Sequence, residues 1–464
     1  MVLKNRVVAL LVLCGGLSVL SGCEYIDDIP VGARYIAKNI CSGIFVSGYD
    51  ETLLVDDYVT SIVPPLKPIW NISIDRDEGV VTVSDKIFNK TYEAVSVYRE
   101  GLGCVNQRNE SIETLRGQGD IQLLTYELPT GVSWPYGDGG VDDSLQPEAS
   151  LRALSRVIDE EFINPVGTVK HTTGVVVVKG GRLIAEQYAG GISENSPVKG
   201  FSMSKSVVNA LAGILYDQGE LDLDASLEID EWQGTESEGI TFRHLAQMSS
   251  GIRYLERAIG DDNDQGRLLY GELMPFDFML TKPQAEVPGE VYNYSSGDSL
   301  LAAHSLQRKV GDAESMYRFY QQALFHNIDI TTALIEHSGD GFAIAPESLM
   351  LSLRDWARLG LLYQNNGRWG DKQVLSEQWM DYSLSEGATN PSYGAFLWLN
   401  TGQWFFNDLP EDTIAFVGAL ERYVVIIPSL ELIVVRVGFS HDRDEVDINA
   451  FVKDILVALE GDGA

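Results

Sequence analysis

The chain has 464 residues, enough for one large hydrophobic core or two smaller ones, and 45% of them are hydrophobic, as in an ordinary globular protein. The formal net charge of −33 argues against nucleic acid as a partner, because no excess of basic side chains can neutralise phosphates. We interpret this charge as a solvated acidic surface that aids solubility; selection for a cationic substrate is the alternative.

The first residues have the pattern of a targeting segment. Lys4 and Arg6 precede an apolar run over residues 7–19, which is short for a bilayer crossing and favours a cleaved signal over a membrane helix. The run ends at Leu-Ser-Gly-Cys, which resembles the bacterial lipoprotein box. Residues 1–22 are therefore predicted to be a signal peptide, and Cys23 is predicted to carry a lipid that anchors the protein in the bacterial cell envelope, facing the periplasm. A plain secretory signal is the alternative.

Cysteine and histidine usage limits the chemistry of the rest of the chain. Cys41 and Cys104 remain after the targeting segment, and in an oxidising compartment they can form a disulfide; two buried thiols are the alternative. The six histidines are scattered, and no cysteine–histidine cluster has metal-ligand spacing. The sequence therefore predicts no metal site.

Residues 23–127 are predicted to form a small N-terminal domain or lid. Strand-like runs occur at 44–47 and 80–83, and helical spacing occurs at 31–40. No catalytic arrangement is recognisable there. Residues 128–147 are rich in proline, glycine and aspartate, which predicts a linker to the main domain, residues 148–464.

The main domain begins and ends with strands. A helical pattern over residues 149–162 precedes a β-hairpin, in which a Gly-Gly turn joins strands at 174–179 and 182–188. Residues 220–415 are mostly helical, and strands return at 423–427 and 432–437 before a last helix. Strands from both ends can therefore pair in one antiparallel sheet between helices, beside a helical subdomain. This predicts an α+β fold of the three-layer type. The individual helices are predicted near 242–248, 298–310, 313–324, 352–364, 376–384 and 446–459.

The most informative stretch is the predicted helix that follows the hairpin. Its apolar spacing places the start near Ser202 and the end before Gly219, which is free to take a positive φ. Lys205 lies one turn after Ser202 and can take the proton of the serine hydroxyl, while the helix N-terminus favours an oxyanion. A plain N-cap serine with a solvated lysine is the alternative. Ser196 and Lys199 have the same Ser-x-x-Lys spacing but lie in a polar loop.

Five motifs follow one another in the main domain, at residues 201–206, 241–251, 288–297, 354–363 and 426–438. Together they resemble the serine β-lactamase and penicillin-binding-protein superfamily, whose mark is Ser-x-x-Lys. More narrowly, they resemble the class C β-lactamase-related branch that includes 6-aminohexanoate-dimer hydrolases and carboxylesterases. The resemblance covers most of residues 170–440 and implies that superfamily's β-lactamase/transpeptidase-like fold.

The resemblance implies a role for each matching side chain. Ser202 matches the nucleophile that forms the acyl-enzyme, and Lys205 matches its proton partner. Tyr294 matches a tyrosine that shares the general-base work and protonates the leaving group; a phenol beside an ammonium group is expected to have a lowered pKa. Ser296 stands where many relatives have asparagine, and it keeps a hydroxyl but loses the amide.

The family's third motif, Lys-Thr-Gly or His-x-Gly on the strand that borders the cleft, is altered in this chain. The corresponding residues include Gly418, Ala419, Glu421 and Arg422, with alanine at the cationic position and glutamate in place of a glycine. We expect Arg422 to substitute for the missing cation, and a backbone N–H of Glu421 or Arg422 to stabilise the oxyanion. The altered motif argues against activity on β-lactams.

These observations predict a lipid-anchored serine hydrolase that acts through an acyl-enzyme on an ester, small amide or peptide, without a metal or cofactor. A catalytically silent relative that binds a peptide or cell-wall ligand is the alternative; Ala419 and Glu421 favour it, whereas Ser202, Lys205 and Tyr294 oppose it. An α/β-hydrolase is not supported, because the serine motif lacks the final glycine of Gly-x-Ser-x-Gly and the strand–helix alternation differs.

Overall fold

A computed structural model describes residues 28–60, 70–87, 90–166, 168–257, 263–440 and 445–460, with the side chains of 85–91 excepted. The predicted signal peptide and the lipidation site at Cys23 lie outside these residues and stay predictions. Within these ranges, no helix combines the length and the apolar character that a bilayer crossing requires.

The helices and strands of the described residues are numbered in chain order. The helices are α1 Ile29–Ser42, α2 Glu51–Leu53, α3 Ile112–Gly117, α4 Glu148–Glu161, α5 Lys205–Asp217, α6 Phe242–Ala246, α7 Asp264–Tyr270, α8 Pro275–Leu280, α9 Ser296–Val310, α10 Ala313–Phe319, α11 Leu353–Gln364, α12 Glu377–Ser383 and α13 Ile448–Glu460. The strands are β1 Trp70–Asp75, β2 Val80–Ile87, β3 Lys90–Arg99, β4 Gly103–Asn106, β5 Thr172–Lys179, β6 Arg182–Tyr188, β7 Val198–Lys199, β8 Leu334–Ile335, β9 Leu349–Leu351, β10 Arg368–Trp369, β11 Lys372–Gln373, β12 Trp398–Leu399, β13 Ile414–Gly418, β14 Arg422–Ile427 and β15 Leu432–Gly438.

The main sheet joins strands from both ends of the main domain, as the sequence predicted. Its order is β12-β13-β14-β15-β5-β6, and β15 pairs antiparallel with β5, with Val434 opposite Val177. Both strands are nearly continuous apolar runs because both faces of the sheet are covered. α4 and α13 pack on one face, and α11 packs on the other. The α+β fold with an antiparallel sheet between helices is therefore confirmed.

One element prediction is wrong in type. Residues 44–47 are not a strand: they lie in a π-helical turn, Gly43–Ser47, that continues α1. A short apolar run such as Ile-Phe-Val fits a buried helix end as well as a strand, so its composition did not separate the two. The helix predicted over 313–324 is confirmed with the same bounds: α10 continues directly into a π-helical turn, Tyr320–Leu324.

In the described part of the N-terminal unit, residues 28–106, α1 packs on an antiparallel sheet of order β1-β2-β3-β4. Of the two states that the sequence left open for Cys41 and Cys104, the structure has the disulfide, with the Cα atoms 6.1 Å apart. The disulfide ties the end of α1 to β4. The apolar core of this unit is continuous with the core of the main domain.

Buried polar contacts also join α1 to the main domain. Lys38 Nζ lies 2.6 Å from Glu336 Oε2, and the two side chains are 6% and 0% exposed. Ser42 Oγ donates a 2.6 Å hydrogen bond to the same carboxylate. Lys199 Nζ donates to Asn39 Oδ1 at 3.3 Å. α1 therefore contacts Glu336, which follows β8, and Lys199, which is the last residue of β7. β7 in turn leads directly into the turn that carries Ser202.

The predicted linker, residues 128–147, is irregular and lies against α11. Arg358 donates hydrogen bonds to the carbonyl oxygens of Pro135 and Gly137 at 2.9 and 3.0 Å. Its guanidinium lies 5.7 Å from the ring centroid of the buried Trp134. These contacts fix the middle of the segment to the main domain.

Candidate active site

The Ser202 turn is a single turn of 3-10 helix, Phe201–Ser204, that leads into α5. Phe201 takes a left-handed backbone conformation, with φ +48°, which is costly for an aromatic residue and needs support from its surroundings. β9 gives that support: the Gly200 N–H donates to Leu349 O at 2.8 Å, and the Leu349 N–H donates to Ser204 Oγ at 3.2 Å. The position of the Ser202 hydroxyl is therefore set by the strand behind it.

Ser202, Lys205, Tyr294 and Ser296 meet at one point, although the two pairs lie about 90 residues apart in the chain. Lys205 Nζ donates to Ser202 Oγ at 2.8 Å and to Ser296 Oγ at 3.1 Å. The ring centroid of Tyr294 lies 5.1 Å from Lys205 Nζ, and its hydroxyl is within hydrogen-bonding reach of both Ser202 and Lys205. A hydroxyl, an amine and a phenol thus share one set of hydrogen bonds.

Burial and neighbouring charges set the protonation of this cluster. Burial disfavours the ammonium form of Lys205, but Tyr294, Glu256 and Glu347 outweigh it and raise the pKa of Lys205 above its ordinary value. Burial raises the pKa of Tyr294, and Lys205 only partly opposes this. The lowered pKa that the sequence led us to expect for the phenol is therefore wrong, because desolvation exceeds the effect of the ammonium charge. The free site holds an ammonium group and a neutral phenol.

Glu256 is a member of the site that sequence reasoning missed. Ser296 donates to its carboxylate twice, from the backbone N–H at 2.8 Å and from Oγ at 2.5 Å. Gln265 Nε2 donates to the same carboxylate at 2.8 Å. Ser296 Oγ therefore accepts from Lys205 and donates to Glu256, so it connects the amine to a carboxylate. With 67 acidic residues in the chain, no local pattern distinguished this glutamate from the others.

A cavity of about 560 Å³ opens above Ser202 and Tyr294. β13 forms one side and lies so close to the Ser202 turn that a Cβ on Gly418 would come within 2.3 Å of the Gly200 carbonyl oxygen. The turn between β13 and β14 contains two left-handed residues, Leu420 and Glu421. The lining residues are Ser202, Glu256, Gln265, Tyr294, Trp398, Phe405, Val417, Gly418, Ala419, Leu420, Glu421, Tyr423 and Ser440.

Arg422 does not replace the missing cation of the third motif. Its neighbours Glu421 and Tyr423 line the cavity, and because successive strand residues point to opposite faces, Arg422 points away from it. Its Nε donates to Gly438 O at 3.0 Å, another guanidinium N–H donates to Lys199 O, and the side chain is fully buried. The expectation that Arg422 contacts substrate is therefore wrong. The backbone oxyanion donor near Glu421 stays a prediction.

Ser196 and Lys199, the second Ser-x-x-Lys sequence, make different contacts from Ser202 and Lys205. Ser196 Oγ accepts a hydrogen bond from the Ser193 N–H at 3.1 Å in a loop. Lys199 is buried, donates to Asn39, and places its Nζ 5.0 Å from the ring centroid of Phe201. Lys199 therefore packs against Phe201, the first residue of the Ser202 turn.

Glu347 is a second buried carboxyl group near Lys205. The residue is 3% exposed, and among the described residues its Oε2 has no hydrogen-bond partner. Burial raises the pKa of Glu347 to about 7, although Lys205 and Lys199 favour its ionised form. The folded protein therefore keeps a proton on Glu347 over a pH range in which the unfolded chain has released it.

The variant Glu347→Gln tests whether Glu347 is protonated in the folded protein, through the pH dependence of the free energy of unfolding. Because the folded-state pKa is raised, the wild-type protein loses the stabilising effect of that proton as pH rises from about 4.5 to about 7, and the glutamine variant does not. Relative to wild type, we expect the variant to gain on the order of 1–3 kcal/mol of unfolding free energy between pH 4.5 and pH 8. Urea unfolding at both pH values measures it, and a difference that is constant with pH would contradict it.

Comparison with known proteins agrees with this geometry. Residues 166–445, more than half of the chain, match the family model described as Beta-lactamase, and the N-terminal unit lies outside the match. The chain is 22% identical to the 6-aminohexanoate-dimer hydrolase of Paenarthrobacter ureafaciens in an alignment 299 residues long, which covers 59% of this chain and 74% of that protein.

Two solved structures share the fold. One, assigned as a 6-aminohexanoate-dimer hydrolase from Bacillus anthracis, superposes with a TM-score of 0.57 and 18% identity over 75% of this chain and 93% of that one. The other, assigned as a β-lactamase from Bacteroides dorei DSM 17855, has a TM-score of 0.52 and 16% identity over 68% of this chain and 99% of that one. The match to the family model decides the assignment: this chain belongs to the β-lactamase family of serine hydrolases.

Proposed function

We propose that this protein hydrolyses an ester or a small amide through an acyl-enzyme on Ser202. The observation that carries the proposal is the 2.8 Å hydrogen bond between Lys205 Nζ and Ser202 Oγ at the base of an open cavity. A serine hydroxyl becomes a competent nucleophile when a positioned base takes its proton, and the buried amine is in place to do so. Tyr294, which shares these hydrogen bonds, is in place to protonate the leaving group.

The proton balance gives Ser296 and Glu256 a part in this reaction. Lys205 is an ammonium group in the free site, so one proton must leave it before it can accept the proton of Ser202. The hydrogen bonds from Lys205 to Ser296 and from Ser296 to Glu256 offer that proton a path to a carboxylate on the cavity wall. Ser202 Oγ then attacks the carbonyl carbon while its proton passes to Lys205, and the leaving group departs with a proton from Tyr294. Water next attacks the acyl carbon: its hydroxyl joins the acyl group, its proton returns to Tyr294, and Lys205 gives a proton back to the departing Ser202 Oγ.

A catalytically silent relative that binds a peptide or cell-wall ligand is the second candidate, and the changed third motif favours it. Ala419 lines the cavity without a charge, and Arg422 is turned away from it. A missing cation weakens the binding of a substrate carboxylate, but it leaves the chemistry at Ser202 unchanged. We therefore favour hydrolysis of esters or amides, and we do not expect hydrolysis of β-lactams.

The proposed location is the bacterial cell envelope, with a lipid on Cys23 holding the protein to the membrane on its periplasmic side. Two observations support it: the lipoprotein-like sequence before Cys23, and the disulfide between Cys41 and Cys104, which is a bond typical of proteins outside the reducing cytosol.

Intact-mass spectrometry after incubation with a fluorophosphonate tests the proposed function, together with turnover of p-nitrophenyl acetate and nitrocefin. We expect a single adduct, mapped by peptide analysis to Ser202, release of p-nitrophenol with turnover, and no turnover of nitrocefin. An adduct on a different serine would overturn the nucleophile assignment. Absence of both adduct and turnover, with measurable binding of muropeptides, would favour the silent relative instead.

A further inference from the structure

The first described residue, Asp28, lies beside the cavity over Ser202. Asn263, the residue before α7, donates a 2.5 Å hydrogen bond from Nδ2 to Asp28 Oδ1. Gln265, two residues further on, lines the cavity and donates to Glu256 at 2.8 Å. Because consecutive Cα atoms are about 3.8 Å apart, Asn263 and Gln265 lie within about 8 Å of each other. The start of α1 is therefore on the same side of the molecule as the cavity wall that Gln265 forms.

A lipid on Cys23, proposed above, would keep this side of the molecule toward the membrane. Asp28 follows Cys23 by five residues, and five residues span at most about 18 Å. A globular chain of 464 residues has a radius of gyration of about 23 Å, so such a tether is too short to let the opposite side face the bilayer. An anchored molecule therefore presents to the lipid surface the side that contains Asp28 and the cavity.

Two exposed apolar residues, Leu255 and Trp404, stand next to residues of the cavity wall, and we call them the apolar rim. Leu255 precedes Glu256 and is 41% exposed, and its backbone N–H donates to Asp264 of α7 at 3.0 Å. Trp404 precedes Phe405 of the wall and is 81% exposed. Tryptophan is enriched at membrane–water interfaces, because its ring is apolar and its N–H is polar. The apolar rim therefore consists of side chains that a bilayer surface accommodates.

Exposed basic side chains accompany the apolar rim. Arg257 follows Glu256 directly, and Arg267 lies on α7. Guanidinium groups bind phosphate oxygens through paired hydrogen bonds, and phospholipids carry such phosphates above an apolar interior. A second copy of this chain fits the rim less well, because each copy has a formal net charge of −33 and the copies repel each other. These side chains therefore favour a phospholipid surface as the partner.

We propose that the apolar rim docks on a phospholipid bilayer, with Trp404 and Leu255 at the level of the headgroups, so that the cavity over Ser202 opens onto the membrane surface. This inference rests on the proposed lipid at Cys23 and goes beyond the proposed hydrolase function. Three observations carry it: the short tether, the exposed tryptophan and leucine beside the cavity wall, and the arginines near them. An apolar ester dissolved in the bilayer then reaches Ser202 without passing through bulk water.

Fluorescence quenching by brominated lipid tests the docking, because bromine atoms near the top of the acyl chains quench tryptophans that contact the membrane. All eight tryptophans belong to the described residues, and among these Trp404 alone is exposed. The full chain, purified from bacterial membranes, is reconstituted in phosphatidylcholine vesicles with and without brominated acyl chains. The difference in emission between wild type and Trp404→Phe is the contribution of Trp404. We expect the brominated vesicles to remove most of that contribution.

Two leucine variants give a matched comparison. Leu255→Ser removes an apolar side chain from the rim and should restore part of the quenched emission. Leu145→Ser removes one that is 69% exposed and lies near β6, where the Asp142 N–H donates to Leu183 O at 2.8 Å. Because β6 is the opposite edge of the main sheet from β12, this control should show wild-type quenching. Identical quenching in the two leucine variants would overturn the role of Leu255.

Three outcomes would overturn the docking itself. A Trp404 contribution that is equal in both kinds of vesicle would show that the residue stays in water. An intact mass without a lipid on Cys23 would remove the tether, and the docking with it. A dimer of the wild-type protein that forms without vesicles, and that Trp404→Ser dissociates, would assign the rim to a second copy of the chain. Turnover of p-nitrophenyl acetate by the same preparation tests the hydrolase function separately, so the two proposals can fail independently.

Discussion

Replacing Ser202 by alanine is expected to abolish covalent labelling by a fluorophosphonate and to lower the turnover of p-nitrophenyl acetate at least about 10³-fold. The hydroxyl is the group that accepts from Lys205 at the cavity floor, and alanine leaves no atom to form the acyl bond. The variant should fold normally, because Ser202 is only half-buried and the turn around it is held by other contacts. Near-UV circular dichroism of Ser202→Ala checks that the variant has folded, and fluorophosphonate labelling and p-nitrophenyl acetate turnover measure the effect.

Ser196→Ala is the control that the chain itself provides. Ser196 begins the second Ser-x-x-Lys sequence, but its lysine, Lys199, is directed at Asn39. We expect this variant to keep wild-type labelling and turnover. Labelling of Ser202→Ala at the wild-type level would remove Ser202 as the nucleophile, and loss of labelling in Ser196→Ala would show that the contacts of the two serines have been misassigned.

Local pattern was enough to predict the parts of the fold that depend on short-range physics. The hairpin of β5 and β6, the start of α5 near Ser202 and the positive φ at Gly219 follow from apolar spacing and glycine placement, and the structure has all of them. The meeting of Ser202 and Tyr294 could be inferred only from the order of several motifs, because spacing within one helix says nothing about a residue 92 positions away.

The side chains that sequence reasoning misplaced depend on long-range geometry. Arg422 follows Glu421 directly, and the shape of the tight turn decides which of the two faces the cavity; that shape depends on two left-handed residues. The protonation of Tyr294 depends on how far burial outweighs the neighbouring ammonium charge, and a sequence does not contain that balance. Glu256 joins the site through Ser296, which a linear pattern does not connect to it.

The contacts between the N-terminal unit and the main domain could not be predicted from the sequence either. Its sequence shows no catalytic arrangement, and the family match does not include it. In the folded chain, Ser42 of α1 contacts Glu336, 294 residues away, and Asn39 contacts Lys199, three residues before Ser202. The unit therefore packs directly behind the segment that carries the nucleophile, and its buried charges bear on the stability of that segment.

Lys38→Met is accordingly expected to lower the free energy of unfolding by about 3–5 kcal/mol, a large part of the 5–15 kcal/mol typical of a folded domain. Burial opposes ionisation of Glu336, but Lys38 and Lys199 together hold the pKa of its carboxyl below the ordinary value, so the carboxylate is charged inside the core. Removing the lysine leaves that charge without its 2.6 Å partner. Burial lowers the pKa of Lys38 to about 7, so urea unfolding at pH 6, with the disulfide intact, measures the pair while both groups are charged.

Two further variants separate the effect of charge from that of a changed side chain. The double variant Lys38→Met/Glu336→Gln should recover most of the loss, because glutamine is neutral but its side-chain oxygen can still accept from Ser42 and from the Cys104 N–H. Lys453→Met removes a lysine from an ion pair whose side chains are 50% and 43% exposed, and its unfolding midpoint should equal that of wild type. If the double variant were as unstable as Lys38→Met alone, packing of the lysine stem rather than the unpaired carboxylate would account for the loss, and the ion pair would not be what joins the N-terminal unit to the main domain.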